Sequence, residues 1–214
     1  MKTIIKAIII LILTVSITDI YSQMHSRRYT DNFITSIEYS SSFNIGKAAD
    51  YISAPGYAGF GFGFKKFVRQ NTTLGIYFGW DVQGKELNDE LLELENGAIF
   101  GRQARYLNYF SVLGSGSYYF TNMHESHIVP YVQLNVGTYY IYQRLELGFV
   151  QINNDNWHFG GGPEAGLMAV IGRNVGITIN ARYNYAFSSG KTLSGESGND
   201  YSFININVGL NYFR

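Results

Sequence analysis

The chain alternates apolar and polar positions two residues at a time. In "VGITINARYNYAF", Val175, Ile177, Ile179, Ala181, Tyr183, Tyr185 and Phe187 share one parity, while Gly176, Thr178, Asn180, Arg182, Asn184 and Ala186 share the other. A strand sends successive side chains to opposite faces, so this stretch has one apolar and one polar face. The period recurs upstream. Phe33, Thr35, Ile37, Tyr39 and Phe43 oppose Glu38 and Ser40. In "YAGFGFGFKKF" Ala58, Phe60, Phe62 and Phe64 oppose Gly59, Gly61 and Gly63, and in "TLGIYFGWDVQ" Leu74, Ile76, Phe78, Trp80 and Val82 oppose Gly75, Tyr77, Gly79, Asp81 and Gln83. A fourth run, "RYLNYFSVLGSGSYYF", is apolar on both faces, which leaves its register ambiguous and admits a bulge. "PYVQLNVGTYYIY", the run from Pro163 to Ile171, the Val175 run and "FININVGLNYFR" complete the series.

Eight runs of about ten residues predict eight strands, and their connections alternate in length. "RQNTT", "TNMHESH" and "GRN" are short; "NIGKAADYISAPG", "GKELNDELLELENGAIFG", "QRLELGFVQINNDNWHF" and "SSGKTLSGESGND" are long. Short turns at one end and long loops at the other predict an all-β fold: an eight-stranded antiparallel up-and-down transmembrane β-barrel with both termini on the periplasmic side. The connection after the third strand, "GKELNDELLELENG", reads either as a short amphipathic helix or as strands extended above the membrane. A soluble barrel would turn the apolar face inward and coat itself with charge. Here the minority face is mostly Gly, Ser and Asn, too poor in charge to meet water. The apolar face therefore looks outward, to lipid. Trp80, Tyr140, Tyr142, Tyr183 and Tyr185 then form an aromatic girdle near the loop end, and Tyr212 marks the opposite interface.

Three stretches carry a family resemblance. "PYVQLNVGTYY" resembles the PYxxxGxG strand opening of the OmpA/OmpX-like outer-membrane barrels of Gram-negative bacteria, with Asn135 at a usual glycine. "ARYNYAF" is similar to their penultimate-strand Arg-Tyr, and "NVGLNYF" resembles the C-terminal insertion signal, with Asn207, Gly209 and Tyr212 in place and Arg214 added after the aromatic end. The resemblance covers about Asn32 to Arg214. It implies an outer-membrane location, with lipid and lipopolysaccharide as surroundings and the barrel assembly machinery as a partner during insertion.

Composition sharpens this picture. "MKTIIKAIIILILTVSITDIYSQ" has Lys2 and Lys6 before an apolar run too short to span a bilayer, and reads as a secretory signal peptide cleaved after Ser22. The organisation expected is a signal peptide over 1–22, a short N-terminal segment over 23–31 and the barrel over 32–214. Sixteen basic residues balance 16 acidic ones, so no overall field recruits nucleic acid. With no cysteine, thiol chemistry and an acylated N-terminal cysteine are excluded.

Candidate chemistry is sparse. If Ile171 pairs with Val175 across "GRN", counting outward sets Glu164 opposite Arg182 in the lumen. A lumen ion-pair network is expected around these two, with Glu38 and Asp81 as further members, because an eight-stranded barrel is filled by its own side chains and buried charges must be paired. "HES", His124 to Ser126, is similar to the His-x-Ser of lipid A deacylases, whose Ser–His pair needs an orienting acid and an oxyanion site, but it falls in a periplasmic turn, away from the outer leaflet where lipid A sits. His127 and His158 are expected to be solvated. Glu86, Asp89, Glu90, Glu93, Glu95, Asp50, Glu146, Asp155, Glu196 and Asp200 make the loop rim acidic; Lys65, Lys66, Arg69, Arg173 and Arg214 make the other rim basic. Such an acidic rim could hold divalent cations or a basic partner. No catalytic, cofactor or metal site is expected. The function anticipated is structural or surface-interacting, through four extracellular loops that meet an unidentified ligand above a plugged lumen. The alternatives are a lipid-modifying barrel enzyme and a narrow channel.

Overall fold

The two-residue period is realised as β1 (Phe33–Ile45), β2 (Gly56–Arg69), β3 (Thr72–Leu94), β4 (Gly97–Tyr119), β5 (Ile128–Leu147), β6 (Val150–Val170), β7 (Val175–Ala186) and β8 (Tyr201–Phe213), with one short helix, α1 (Lys47–Tyr51), after β1. Each strand pairs antiparallel with the next, and β8 returns to β1 to close the cylinder. This computed structural model describes residues 33–94, 97–121, 126–148, 150–172, 174–188 and 200–214. The signal peptide over 1–22, the segment 23–31, His124, Glu95, Arg173 and Glu196 lie outside the described residues.

The apolar parity faces out. Ile37, Phe60, Leu74, Leu134, Ile179 and Val208 are all exposed on the exterior wall, and the intervening Glu38, Gly61, Gln133, Asn180 and Asn207 are turned in. No helix among the described residues is long and apolar enough to cross a membrane; the crossing is made by strands. Closure matters as much as polarity, because a lipid-facing edge would leave backbone groups unbonded. At the short-turn end the Phe33 amide donates to Arg214 O and the Arg214 amide to Phe33 O, so the first and last strands seal to their tips.

The fourth run has a single register. β4 pairs with β5 without a shift from Ala104↔Glu146 to Tyr119↔Tyr131, so the bulge expected within it is absent. Its inward parity, Leu107, Tyr109 and Leu113, is apolar because it fills the lumen while Phe110 faces lipid. Register shifts fall instead between Ser40 and Ser42, between Phe67 and Arg69, and between Leu87 and Glu90, where Gly101 on the facing strand has φ 143°.

The long connections also differ from their reading as loops. β3 and β4 run 23 residues each, β5 runs 20 and β6 21, about twice what a bilayer requires. The third connection is thus extended strand rather than helix, and the fifth is a hairpin closed at Leu147↔Val150. β2 stays with β3 only as far as Val82, and β7 leaves β6 at Gly160↔Ala186. A four-stranded sheet, β3–β4–β5–β6, therefore stands beyond the barrel rim.

Candidate functional site

Two buried apolar clusters lie inside the barrel, with a polar layer between them. Near the short turns, Ile34, Tyr119, Val129, Tyr131, Met168, Val170 and Phe213 form one buried cluster. Near the long hairpins, Tyr77, Leu107, Tyr109, Leu113, Tyr139, Ile141 and Phe203 form another, and the connection after β1 folds into it through Ala48 and Ile52. The Tyr109 and Phe203 rings stack at 4.1 Å. Asn44 pins this inward strap: its Nδ2 donates to Ile52 O at 2.9 Å while its Oδ1 accepts from the Tyr109 hydroxyl at 2.7 Å. The Tyr51 hydroxyl donates to Arg144 O at 3.1 Å, and Arg105 Nη1 donates to Tyr51 O at 3.2 Å. Burial of Ile52 contributes roughly 1.5–3 kcal/mol. Replacing Ile52 by Asp is expected to expel the strap, opening the chain after Lys47 to trypsin while the unheated barrel keeps its folded mobility on a denaturing gel. Unchanged resistance at Lys47 would show that the apolar seat is not what holds the strap.

Between the plugs, Arg182 is the central charge. The β6–β7 register places Glu164 directly across from it, and Arg182 Nε donates to Glu164 Oε2 at 2.6 Å. Its Nη2 lies 3.6 Å from Glu38 Oε2, and its guanidinium sits 3.7 Å from the centre of the Tyr77 ring. Glu164 is otherwise saturated by the Tyr131 hydroxyl at 2.9 Å, Gln133 Nε2 at 3.2 Å and Asn135 Nδ2 at 3.4 Å. Three of the four expected network members therefore meet. Asp81 does not touch the guanidinium: its Oδ1 accepts from Ser40 Oγ at 2.6 Å and from Asn205 Nδ2 at 2.9 Å, a separate polar knot toward the long hairpins.

Sequence reading missed several lumen residues. Lys65, assigned to the basic rim, follows the parity of Gly61 and Gly63 and points inward, 5.3 Å from the centre of the Tyr131 ring. The signal was present in "GFGFGFKKF": only Lys66 shares the phenylalanines' face. Tyr77 lies flat on the paired glycines Gly61 and Gly79; a Cβ on either would collide with its ring. His158, expected to be solvated, is buried, with Nδ1 2.9 Å from Phe187 O and its ring edge-on to Tyr201, whereas His127 is exposed.

On the exterior, Trp80 packs edge-on to Phe60, Tyr140 lies 5.3 Å from Trp157, and Tyr185 meets Phe187. Tyr142 and Tyr183 share this outward parity, and Tyr212 is exposed at the other end. Trp157 and Phe159, read as loop, extend the ring on β6.

The long-hairpin rim is not simply acidic. Glu86 pairs with Arg102 at 2.8 Å, Glu146 with Arg144 at 3.2 Å and Asp200 with Lys47 at 3.6 Å. The Tyr185 hydroxyl, the backbone and Lys47 together hold the Asp200 carboxyl below its ordinary range. Basic residues at the same end were overlooked because they alternate with the acids instead of clustering. Among the described residues no group of three His, Asp or Glu side chains is placed to hold a metal ion. Ser126 of the "HES" triplet donates to Ile128 O at 2.7 Å in the short turn.

A closed wall with a continuous apolar exterior, aromatic at both ends, is the deciding observation. The fold is that of a small eight-stranded outer-membrane β-barrel of Gram-negative bacteria. No family model matches the sequence, and no curated protein does either. Solved structures do match. Ail, the attachment invasion locus protein of Yersinia pestis, solved in complex with the heparin analogue sucrose octasulfate, superposes with TM-score 0.55 at 14% identity, over 87% of this chain and 100% of Ail. Neisserial surface protein A superposes with TM-score 0.54 at 13% identity, over 84% of this chain and 96% of its own. Both share the architecture at identities that speak to fold alone.

Proposed function

We propose that this barrel is a non-catalytic surface scaffold, plugged along its axis, whose β3–β6 sheet stands outside the cell to meet other molecules. The observation that carries this reading is the length of those four strands. They continue well past the girdle as a paired sheet, although nothing in membrane insertion requires it. Rigid scaffolds that project variable segments are a common platform for binding. The plugged axis supports the choice over a narrow channel, because buried rings and the Arg182 cluster occupy the space an ion would need. A lipid-modifying enzyme would need a nucleophile, base and acid near the long-hairpin interface, and no such set is assembled among the described residues. Ail is known with a heparin analogue; for this chain, ligand contact is argued from its own sheet.

Lipopolysaccharide is the proposed neighbour of the outer girdle. The barrel assembly machinery is the proposed reader of the last strand, in which Asn207 and Gly209 face the lumen and Tyr212 faces lipid. Because the chain has no cysteine, orientation can be read with single introduced thiols. Asn153→Cys, on the exposed face of β6, is expected to react with a membrane-impermeant maleimide on intact cells; Gln70→Cys, in the β2–β3 turn, is expected to react only after lysis. The reverse pattern would remove the basis of this proposal.

A further inference from the structure

The β4–β5 ladder ends at Ala104↔Glu146, whereas the β3–β4 ladder continues to Leu94↔Gly97. The step between the two hairpins leaves a groove of about 780 Å3, walled by Glu86, Phe100, Arg102, Tyr106, Glu146 and Gly148. Its charges are internally matched. Arg102 Nη2 donates to Glu86 Oε2 at 2.8 Å, Arg144 Nε lies 3.2 Å from Glu146 Oε1 as an ion pair, and the Arg144 guanidinium lies 4.3 Å from the centre of the Tyr106 ring. Phe100, 68% exposed, offers an uncovered ring.

This lining discriminates among ligands. A free anion finds no surplus positive charge, a divalent cation finds carboxylates already engaged, and an apolar peptide finds ion pairs. A polyhydroxylated ring fits: its hydroxyls can bridge the exposed carboxylate and guanidinium edges, and its C–H face can lie on an aromatic ring, the usual combination of apolar surface with a few placed polar groups. The groove's position narrows the source. Tyr106, Arg144 and Glu146 share the outward parity of lipid-facing Phe110 and girdle Tyr140, so the groove opens sideways along the membrane surface rather than along the barrel axis. Arg144 is four residues past Tyr140, roughly 10 Å above the girdle at about 3.4 Å per residue and a tilt of about 40°. At that height the neighbouring molecule in an outer leaflet is the sugar portion of lipopolysaccharide.

We propose that the groove between the β3–β4 and β5–β6 hairpins seats an uncharged hexose of the lipopolysaccharide core oligosaccharide. This rests on the outward orientation proposed above. The test uses the refolded barrel in phosphatidylcholine nanodiscs, which expose both faces, so binding there is independent of orientation in cells. The probe is deacylated, dephosphorylated core oligosaccharide, followed by calorimetry and by NMR line broadening. Saturable binding is expected, weakened about tenfold or more by Phe100→Ser and severalfold by Glu86→Gln. The phosphorylated core should bind within about twofold of the dephosphorylated one, and sucrose octasulfate should not bind. The assignment is overturned by no saturable binding, by binding indifferent to Phe100→Ser, by about tenfold preference for the phosphorylated probe, or by equal binding of maltoheptaose. If the oligosaccharide binds as expected but Asn153→Cys is unlabelled on cells, it is the orientation that fails and not the groove chemistry.

Discussion

Replacing Arg182 by Met is expected to destabilise the barrel by about 3–5 kcal/mol without opening a pore. The guanidinium neutralises Glu164 at 2.6 Å and lies 3.6 Å from Glu38, and all three side chains are almost wholly enclosed. Removing it leaves two carboxylates facing each other's charge in a space where water cannot follow. The hydrogen bonds from Tyr131, Gln133 and Asn135 soften this for Glu164 more than for Glu38, whose Oε2 accepts no hydrogen bond in the structure. The measurement is the urea midpoint of the barrel refolded in lipid vesicles, read by the heat-dependent gel shift. A triple variant, Arg182→Met with Glu164→Gln and Glu38→Gln, should recover much of the loss, since deleting a buried charge set together is far less damaging than deleting one member. In planar bilayers both variants should stay closed, because the rings of Tyr77, Tyr109, Tyr131 and Tyr139 still cross the axis. A wild-type midpoint for Arg182→Met would remove the ion cluster from any account of stability, and large steady conductance would refute the plug.

The second expected result concerns a glycine. Gly61→Val should lower stability by about 1–3 kcal/mol through overpacking. Gly61 and Gly79 face each other across β2 and β3, and the Tyr77 ring lies on the bare floor they make. The other side of that ring is covered by Arg182, whose guanidinium is 3.7 Å from the centroid. A valine side chain must lift the ring, and lifting it disturbs the aromatic face on which the arginine rests. Tyr77→Ala alone leaves a cavity and should cost about 3–5 kcal/mol, in line with other buried large-to-small changes. The double variant, in which valine occupies part of the vacated space, should be more stable than the sum of the singles by about 0.5–3 kcal/mol. Additivity within about 0.5 kcal/mol would mean that ring and glycine floor do not touch energetically. The alternation in "GFGFGF" thus has two causes, lipid on the phenylalanine side and a flat-lying tyrosine on the glycine side.

Much of the transmembrane part was legible from local pattern because two solvents enforce it. Lipid outside and a crowded lumen inside select opposite side chains at every second residue, so parity gives the strand count, the charge-poor minority face gives the facing, and the alternation of short and long connections gives the barrel. The Glu164–Arg182 pairing was equally accessible: a tight turn between Ile171 and Val175 leaves no freedom in the count. Above the membrane that enforcement ends. The inner face of the β3–β6 sheet is still buried at Leu87, Gln103, Gln143 and Leu145, but polar and apolar side chains mix there, and the segment with Asn153, Asp155 and Trp157 resembles a polar loop although it is paired strand. Local pattern also cannot say how far across a lumen a side chain reaches. Tertiary closure alone brought the Ile52 strap under Tyr109 and Phe203, kept Asp81 with Ser40 and Asn205 instead of Arg182, and buried His158 beside Tyr201. These contacts join residues tens of positions apart across a closed cylinder, where distance is set by the barrel's diameter and not by spacing along the chain.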